Sequence, residues 1–245
     1  MVLAALGGSA DKPVIPNFGD TSSCVRNNET FCWGWFKAHW STTFEPALID
    51  HIRLTVIAVA IGFAISFLLA IAAHRYGWLT TPITLIGSLL YTIPSLAAFA
   101  ILVSITGIND YTVELPLISY TLLILFTNTL AGLTGVSPDV VDAARGSGLT
   151  PRQTLMRVEL PLALPTIIAG LRVAVVTIIS LTTIAAYIVP EGLGKPIFDA
   201  LASGDFNTKF IAAGVLCVAL ALVADALFAI IQRVLTPWAS SRRAT

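Results

Sequence analysis

Charge is what this sequence has least of. Only 11% of its residues are Asp, Glu, Lys or Arg, while 56% are hydrophobic. Soluble domains carry about 25% charged residues, so most of this chain is not built for water. The 14 basic and 14 acidic residues balance to a net charge of zero, which removes the basic excess expected of a nucleic-acid binder. No GxSxG, HExxH or Walker A stretch is present, and the three histidines are scattered at His39, His51 and His74. These absences argue against an intramembrane hydrolase and against ATP hydrolysis by the chain itself. The opening run Val2 to Leu6 is short and lacks a basic flank, unlike a signal peptide. Cysteine is rare too. Cys217 lies in an apolar run, and Cys24 and Cys32 sit in CVRNNETFC. With only His39 nearby, those two cysteines are too few for a metal site, so none is expected. A short-loop disulfide or two free thiols both fit, the disulfide if the segment lies outside the cytoplasm.

What the sequence has is long uncharged runs. Leu54 to Ala73 and Tyr76 to Ile108 hold no charged residue, and Arg75 is the one Asp, Glu, Lys or Arg between them. A spanning helix needs about 20 apolar residues to cross roughly 30 Å of hydrocarbon. Five spans are expected: about 53–74, within 82–106, about 115–135, about 162–189 and about 210–231. An odd count puts the termini on opposite sides. One set of loops holds Arg75, Arg145, Arg152, Arg157, Arg233, Arg242 and Arg243. The other holds Asp110, Glu114, Glu191, Asp199 and Asp205 with Lys195 and Lys209. The positive-inside rule therefore predicts an outer N-terminus and a cytoplasmic C-terminus.

The expected organisation is a leader over 1–50, a membrane domain over 51–236 and a tail over 237–245. Phe31, Trp33, Trp35, Phe36 and Trp40 crowd the leader. They suit an interfacial stretch or, more sharply, an aromatic cage for a quaternary ammonium group. Within the spans, Ala58, Gly62 and Ser66 recur every four residues, a pattern for close helix contact. Pro94 predicts a kink in the second span, which either lines a pathway with Thr92 and Ser95 or only bends a packing helix. Asp225 in the fifth span calls for a partner on another helix or for an ion-handling role, and Arg172 sits partway into the fourth.

Residues 137–161 form the longest connection on the arginine-rich side. Ser137 and Thr150 are N-cap residues, each followed by proline, and Gly146 and Gly148 end the first short helix. A helix, glycine break and second helix of this kind give rigid contact area without a catalytic group. Proline at 161 and 165 marks a turn into the fourth span.

The stretch DAARGSGLTPRQTLMRVELP resembles the EAA loop of binding-protein-dependent importer permeases. Asp142, Ala143, Ala144, Gly148, Val158, Leu160 and Pro161 fall on the motif, with Asp142 replacing the usual Glu and Val158 the usual Ile. HIRLTV, YTIPSLAAFAIL, VELPLALPTIIAGLRVAVV and GLGKPIF extend the likeness over about residues 50–235, toward the osmoprotectant branch. The resemblance implies an all-α polytopic bundle with a MetI-like ABC permease core in a bacterial inner or plasma membrane. It implies no catalysis and no cofactor in this chain. ATP and Mg belong to a separate cytoplasmic ABC ATPase dimer. A second permease copy or a related permease, and an extracytoplasmic solute-binding protein, complete the assembly. The cargo implied is glycine betaine, choline, carnitine or proline. Asp142, Ala143, Ala144, Arg145, Gly148, Leu160 and Pro161 would couple to the ATPase. Thr92, Pro94, Ser95, Thr182 and Thr183 are the candidates for lining the pathway. The rival classes are a stand-alone secondary transporter, which five spans divide poorly into repeats, and a permease for another small polar solute such as an amino acid.

Overall fold

The computed structural model describes residues 22–203 and 206–240, and every regular element among them is helical. Residues 1–21, Asp205, and the tail residues 241–245 with Arg242 and Arg243 lie outside the described residues. In chain order the helices are α1 (Ser23–Arg26), α2 (Trp33–Ala38), α3 (Glu45–Arg75), α4 (Thr80–Thr92), α5 (Ser95–Thr106) and α6 (Asp110–Thr134). They continue with α7 (Pro138–Gly146), α8 (Pro151–Thr154), α9 (Leu160–Ala185), α10 (Gly194–Ala202), α11 (Asn207–Leu235) and α12 (Pro237–Ser240). Four continuous helical stretches among the described residues are long and apolar enough to cross a membrane: Trp40–Arg75, Asp110–Thr134, Pro151–Ala185 and Asn207–Leu235. The pair Gly77–Thr92 and Ser95–Thr106 makes a fifth crossing if its two halves are taken as one span.

That fifth crossing is broken, not merely kinked: its two halves meet at 88°. Pro94 supplies no N–H and drives the residue before it into extended backbone. Ile93 accordingly stands at φ −63°, ψ 125°. The carbonyl set free there is not wasted in hydrocarbon, because the Tyr120 hydroxyl of α6 donates to it.

The turn expected at Pro161 and Pro165 is absent. Residues 151–185 run as one helix, with a π turn over Leu155–Glu159. The wider π ring lies directly before Pro161, where a regular turn would clash with the proline ring. Pro165 continues inside α9. At the other end, α3 starts at Glu45, inside the stretch assigned to the leader. Pro46 in the first turn and an acidic first residue favour that start.

α3, α6 and α9 make the centre, and small residues set how closely they approach. Ala58 and Ser66 are wholly enclosed, and a Cβ on Gly62 would overlap the Thr121 hydroxyl of α6. Ser66 donates to the Leu122 carbonyl at 3.2 Å. A Cβ on Gly170 of α9 would stand 2.5 Å from the Asn128 Cβ of α6. Leu54, Phe99, Leu117 and Ile178 then fill the space between the helices.

The aromatic segment closes one end. Trp35 stacks on His39 at 4.1 Å and meets Phe206 edge-on at 4.7 Å. Trp35, Phe44 and Phe206 share a buried cluster with Ala212 and Ala213 of α11. These rings form a packed cap; of the five leader aromatics Trp35 is buried within it, while Trp33 stays exposed. Cys24 and Cys32 are joined by a disulfide. The Cys32 N–H donates to Thr208 Oγ1 at 2.8 Å, and Asn207 donates to Asn28 through both its backbone and its side chain. The cap is thereby tied to the first turn of α11.

Candidate functional site: an exposed helix at one end and a charged latch at the other

The helix α7 has no buried residue, an unusual state for an apolar chain. Pro138 opens it, Asp139 lies in its first turn and Arg145 in its last, each favourable to the helix dipole. Asp142, Ala143, Arg145 and Gly148 are exposed, and Ala144 is half-buried. Gly148 sits at φ 87°, a conformation an L-residue adopts only with strain. The second arm begins with a capping box in which Thr150 and Gln153 satisfy each other's backbone groups. Leu160 and Pro161 are not on the projecting part. Leu160 packs with Leu133, Ala163 and Ile167 in the bundle, and Pro161 is in the first turn of α9. The motif therefore divides into an exposed contact helix and a rooted base. The root is further held by His74, whose Nε2 lies 2.7 Å from Glu159 Oε2.

At the opposite end, Arg53 of α3 reaches Asp110 of α6 at 3.0 Å and Glu191 of the α9–α10 connection at 3.5 Å. Burial, ahead of the neighbouring Asp110 carboxylate, raises the Glu191 pKa above the usual carboxylate value against the pull of Arg53. Just below, Glu114 is buried and neither of its carboxylate oxygens has a hydrogen-bond partner. His51, wholly enclosed, joins the same connection to α9. None of Arg53, His51, His74 and Glu159 stood out in the sequence as a site residue. A positive charge at the mouth of an apolar run was the one available signal, at Arg53.

The candidates for pathway lining are not gathered on one surface. Thr92 and Pro94 are exposed and Ser95 half-buried at the α4–α5 corner. Thr182, by contrast, is 0% exposed, and its hydroxyl has no partner. Thr183 donates to the Ile179 carbonyl and meets Cys217 of α11. Both turn into protein, so the open side of α9 is carried by other residues: Val173, Ser180 and Ile184.

Within the bundle's depth, Arg172 Nε and Nη2 each lie 2.8 Å from an Asp225 oxygen, a two-pronged pair between α9 and α11. A single charge at a helix centre costs about 2.5–3.5 kcal/mol on insertion scales, so mutual pairing explains how both are tolerated. Among the described residues no group of His, Cys, Asp and Glu suits a metal ion.

Residues 49–238 match the family model for the binding-protein-dependent transport system inner membrane component. The osmoprotectant import permease protein OsmW of Salmonella typhimurium is 35% identical over 80% of this chain and 91% of its own. The choline transport system permease protein OpuBB of Bacillus subtilis is 33% identical over 77% and 86%. The glycine betaine/carnitine/choline permease OpuCB of the same organism is 30% identical over 77% and 86%. Among solved structures, an inward-facing form of the MetNI methionine ABC transporter superposes with a TM-score of 0.71 over 78% of this chain and 94% of the other, at 18% identity. The likeness to that structure is one of fold. With the fold, the exposed helix and the family match in agreement, this chain belongs to the binding-protein-dependent inner membrane components, as a non-catalytic permease subunit of an ABC importer.

Proposed function

We propose that this permease moves an osmoprotectant of the quaternary-ammonium class, such as glycine betaine, choline or carnitine, into a bacterial cell. The solutes named for OsmW, OpuBB and OpuCB support that class. In this reading α7 and the Gly148 corner dock on a cytoplasmic ABC ATPase dimer that binds ATP and Mg. Asp142, Ala143, Ala144 and Arg145 supply the contact, and Leu160 and Pro161 root it. A second permease completes the membrane part, and an extracytoplasmic binding protein delivers the solute. The α7 end faces the cytoplasm and the disulfide-bearing cap faces outward. Arg75, Arg145, Arg152, Arg157 and Arg233 on one set of connections support this orientation. The corner at Thr92, Pro94 and Ser95 lines part of the route, since a broken helix with free carbonyls suits a wet pathway. Thr182 and Thr183 join it only after a rearrangement of α9.

The observation that carries the proposal is α7: an EAA-like helix with no buried residue, held by a bundle that buries its apolar groups elsewhere. Such a surface is explained by a protein partner. Purification from native membranes tests it. A P-loop ATPase should accompany the permease, and vesicles holding the complex should accumulate radiolabelled glycine betaine only with internal ATP. A permease that purifies alone and accumulates solute without ATP would overturn the proposal.

A further inference from the structure

Two open surfaces flank the contact between α9 and α11, and they differ in chemistry. The first is a groove lined by Val56, Phe63, Val175, Leu220 and Val223 among other apolar side chains, with Thr55 its one hydroxyl. It suits acyl chains. The second, of about 550 Å³, is lined by Val173, Val176, Thr177 and Leu222 together with Arg172 and Asp225. The Arg172 and Asp225 side chains remain 33% and 39% exposed there. At 1.5 Å per residue, Arg172 stands about 18 Å along α9 from Leu160, and Asp225 about 15 Å along α11 from Leu235. Both lie within the apolar stretches of α9 and α11, which are long enough to cross a hydrocarbon layer roughly 30 Å thick.

An ion pair that is one-third open at this depth is a poor surface to offer to lipid. The same side of α9 carries hydroxyls at Thr177 and Ser180, each bonded back to its own helix. Polar groups thus follow one side of α9, and the other groove has none that is charged.

We propose that the Arg172–Asp225 side lines the water-filled route, and that the pair forms a transit site for zwitterionic solutes. This rests on the function proposed above and goes further, to the residues and the charge type of the cargo. A solute bearing a carboxylate and a cationic group sets its carboxylate against the Arg172 guanidinium and its cation against Asp225. Both protein charges then exchange one partner for another. A lone cation would take Asp225 and leave Arg172 uncompensated, which is unfavourable away from bulk water. The site therefore favours a zwitterion such as glycine betaine over a cation such as choline.

The test uses the whole transporter in native membrane vesicles, in a Cys217→Ala background. In Thr177→Cys a membrane-impermeant cationic methanethiosulfonate should label the new thiol during ATP turnover. Glycine betaine should slow that labelling at least threefold. Val223→Cys, in the apolar groove, should stay unlabelled. Arg172→Gln should shift the ratio of glycine betaine to choline uptake at least tenfold toward choline. The double variant Arg172→Met with Asp225→Leu keeps the contact apolar and should assemble with the ATPase, yet lose at least tenfold in glycine betaine uptake. Three outcomes would overturn the proposal: Thr177→Cys unreactive in every state, Thr177→Cys crosslinking to its counterpart in a second copy without reagent access, or the assembled double variant transporting at the wild-type rate. If wild-type vesicles accumulate neither solute, the cargo proposed earlier fails, while Thr177 labelling still decides the route.

Discussion

His51 and Leu193 are joined across 142 positions of sequence: the Leu193 N–H donates to His51 Nδ1 at 3.2 Å. Because Nδ1 accepts, the ring's proton is on Nε2, which donates to the Ile179 carbonyl at 3.0 Å. One neutral imidazole thus fastens the connection before α10 to both α3 and α9. Gly192 lets the backbone come this close. Its φ is +67°, and a Cβ there would stand 3.0 Å from His51 Nδ1.

His51→Phe should therefore lower the stability of the purified transporter by about 1–3 kcal/mol, the penalty for an orphaned buried polar group. Gly192→Val should do similar damage through backbone strain and the clash. Thermal unfolding in detergent checks both. An unchanged midpoint for both variants would show that the connection is held by other contacts.

The exposed helix α7, proposed to dock on the ATPase, gives a second prediction with the opposite signature. Gly148→Val forces an L-residue into positive φ without meeting a neighbour, since nothing lies within 4 Å of its Cβ position. Stability should fall only by the local strain, about 1–2 kcal/mol, while ATP-dependent uptake falls at least tenfold. Asp142→Lys, on an exposed side chain, should also insert normally and uncouple. Uptake and ATPase assays on reconstituted complexes read this out; normal coupling in both variants would remove α7 from the transmission path.

Much of this architecture was legible because hydrocarbon tolerates few patterns. The uncharged runs gave the spans, the Ala58–Gly62–Ser66 repeat signalled a close helix contact, which is with α6 at Gly62 and Ser66, and serine–proline and threonine–proline marked the starts of α7 and α8, although only Thr150 makes a side-chain capping bond. Pro94 announced a bend but not its 88° size, and Tyr120, which takes up the Ile93 carbonyl there, lies on another helix. Tertiary context decided what local signals could not. Pro161 and Pro165 signal a stop locally, but a preceding π turn carries the helix through. Thr182 sits on α9 like any other threonine, and only the packing of the bundle places it inside. His51 and Arg53 act through partners far away in sequence, at Leu193, Asp110 and Glu191. No local pattern encodes such pairings.

The cap gives a third prediction. Cys24 and Cys32 close a short loop, and the chain-entropy model assigns such a crosslink about 2–3 kcal/mol. Replacing both with serine should loosen the cap, whose Trp35 rests on Phe206 at the entry to α11. In intact cells an impermeant maleimide should label neither cysteine until a reductant is added outside. Labelling in untreated cells would mean free outer thiols. Labelling only after the cytoplasmic side is opened would invert the proposed orientation.

The last prediction concerns pH at the Arg53 latch. Burial raises the Glu191 pKa above its usual value, so the folded protein holds this proton more tightly than the unfolded chain does. Between the ordinary carboxylate pKa and the raised one, the folded state binds more protons, and stability must fall as pH rises. This penalty is complete above the raised pKa and vanishes below the ordinary one. Glu191→Gln keeps the shape, removes the ionisation and should flatten the slope across that window, with greater stability than the wild type on its alkaline side. The change is opposed by the loss of the 3.5 Å contact with Arg53, but Arg53 keeps Asp110 at 3.0 Å and is not stranded. Thermal unfolding of the two proteins from pH 4 to 8 measures the difference. A wild-type slope that survives in Glu191→Gln would assign the pH dependence to another group.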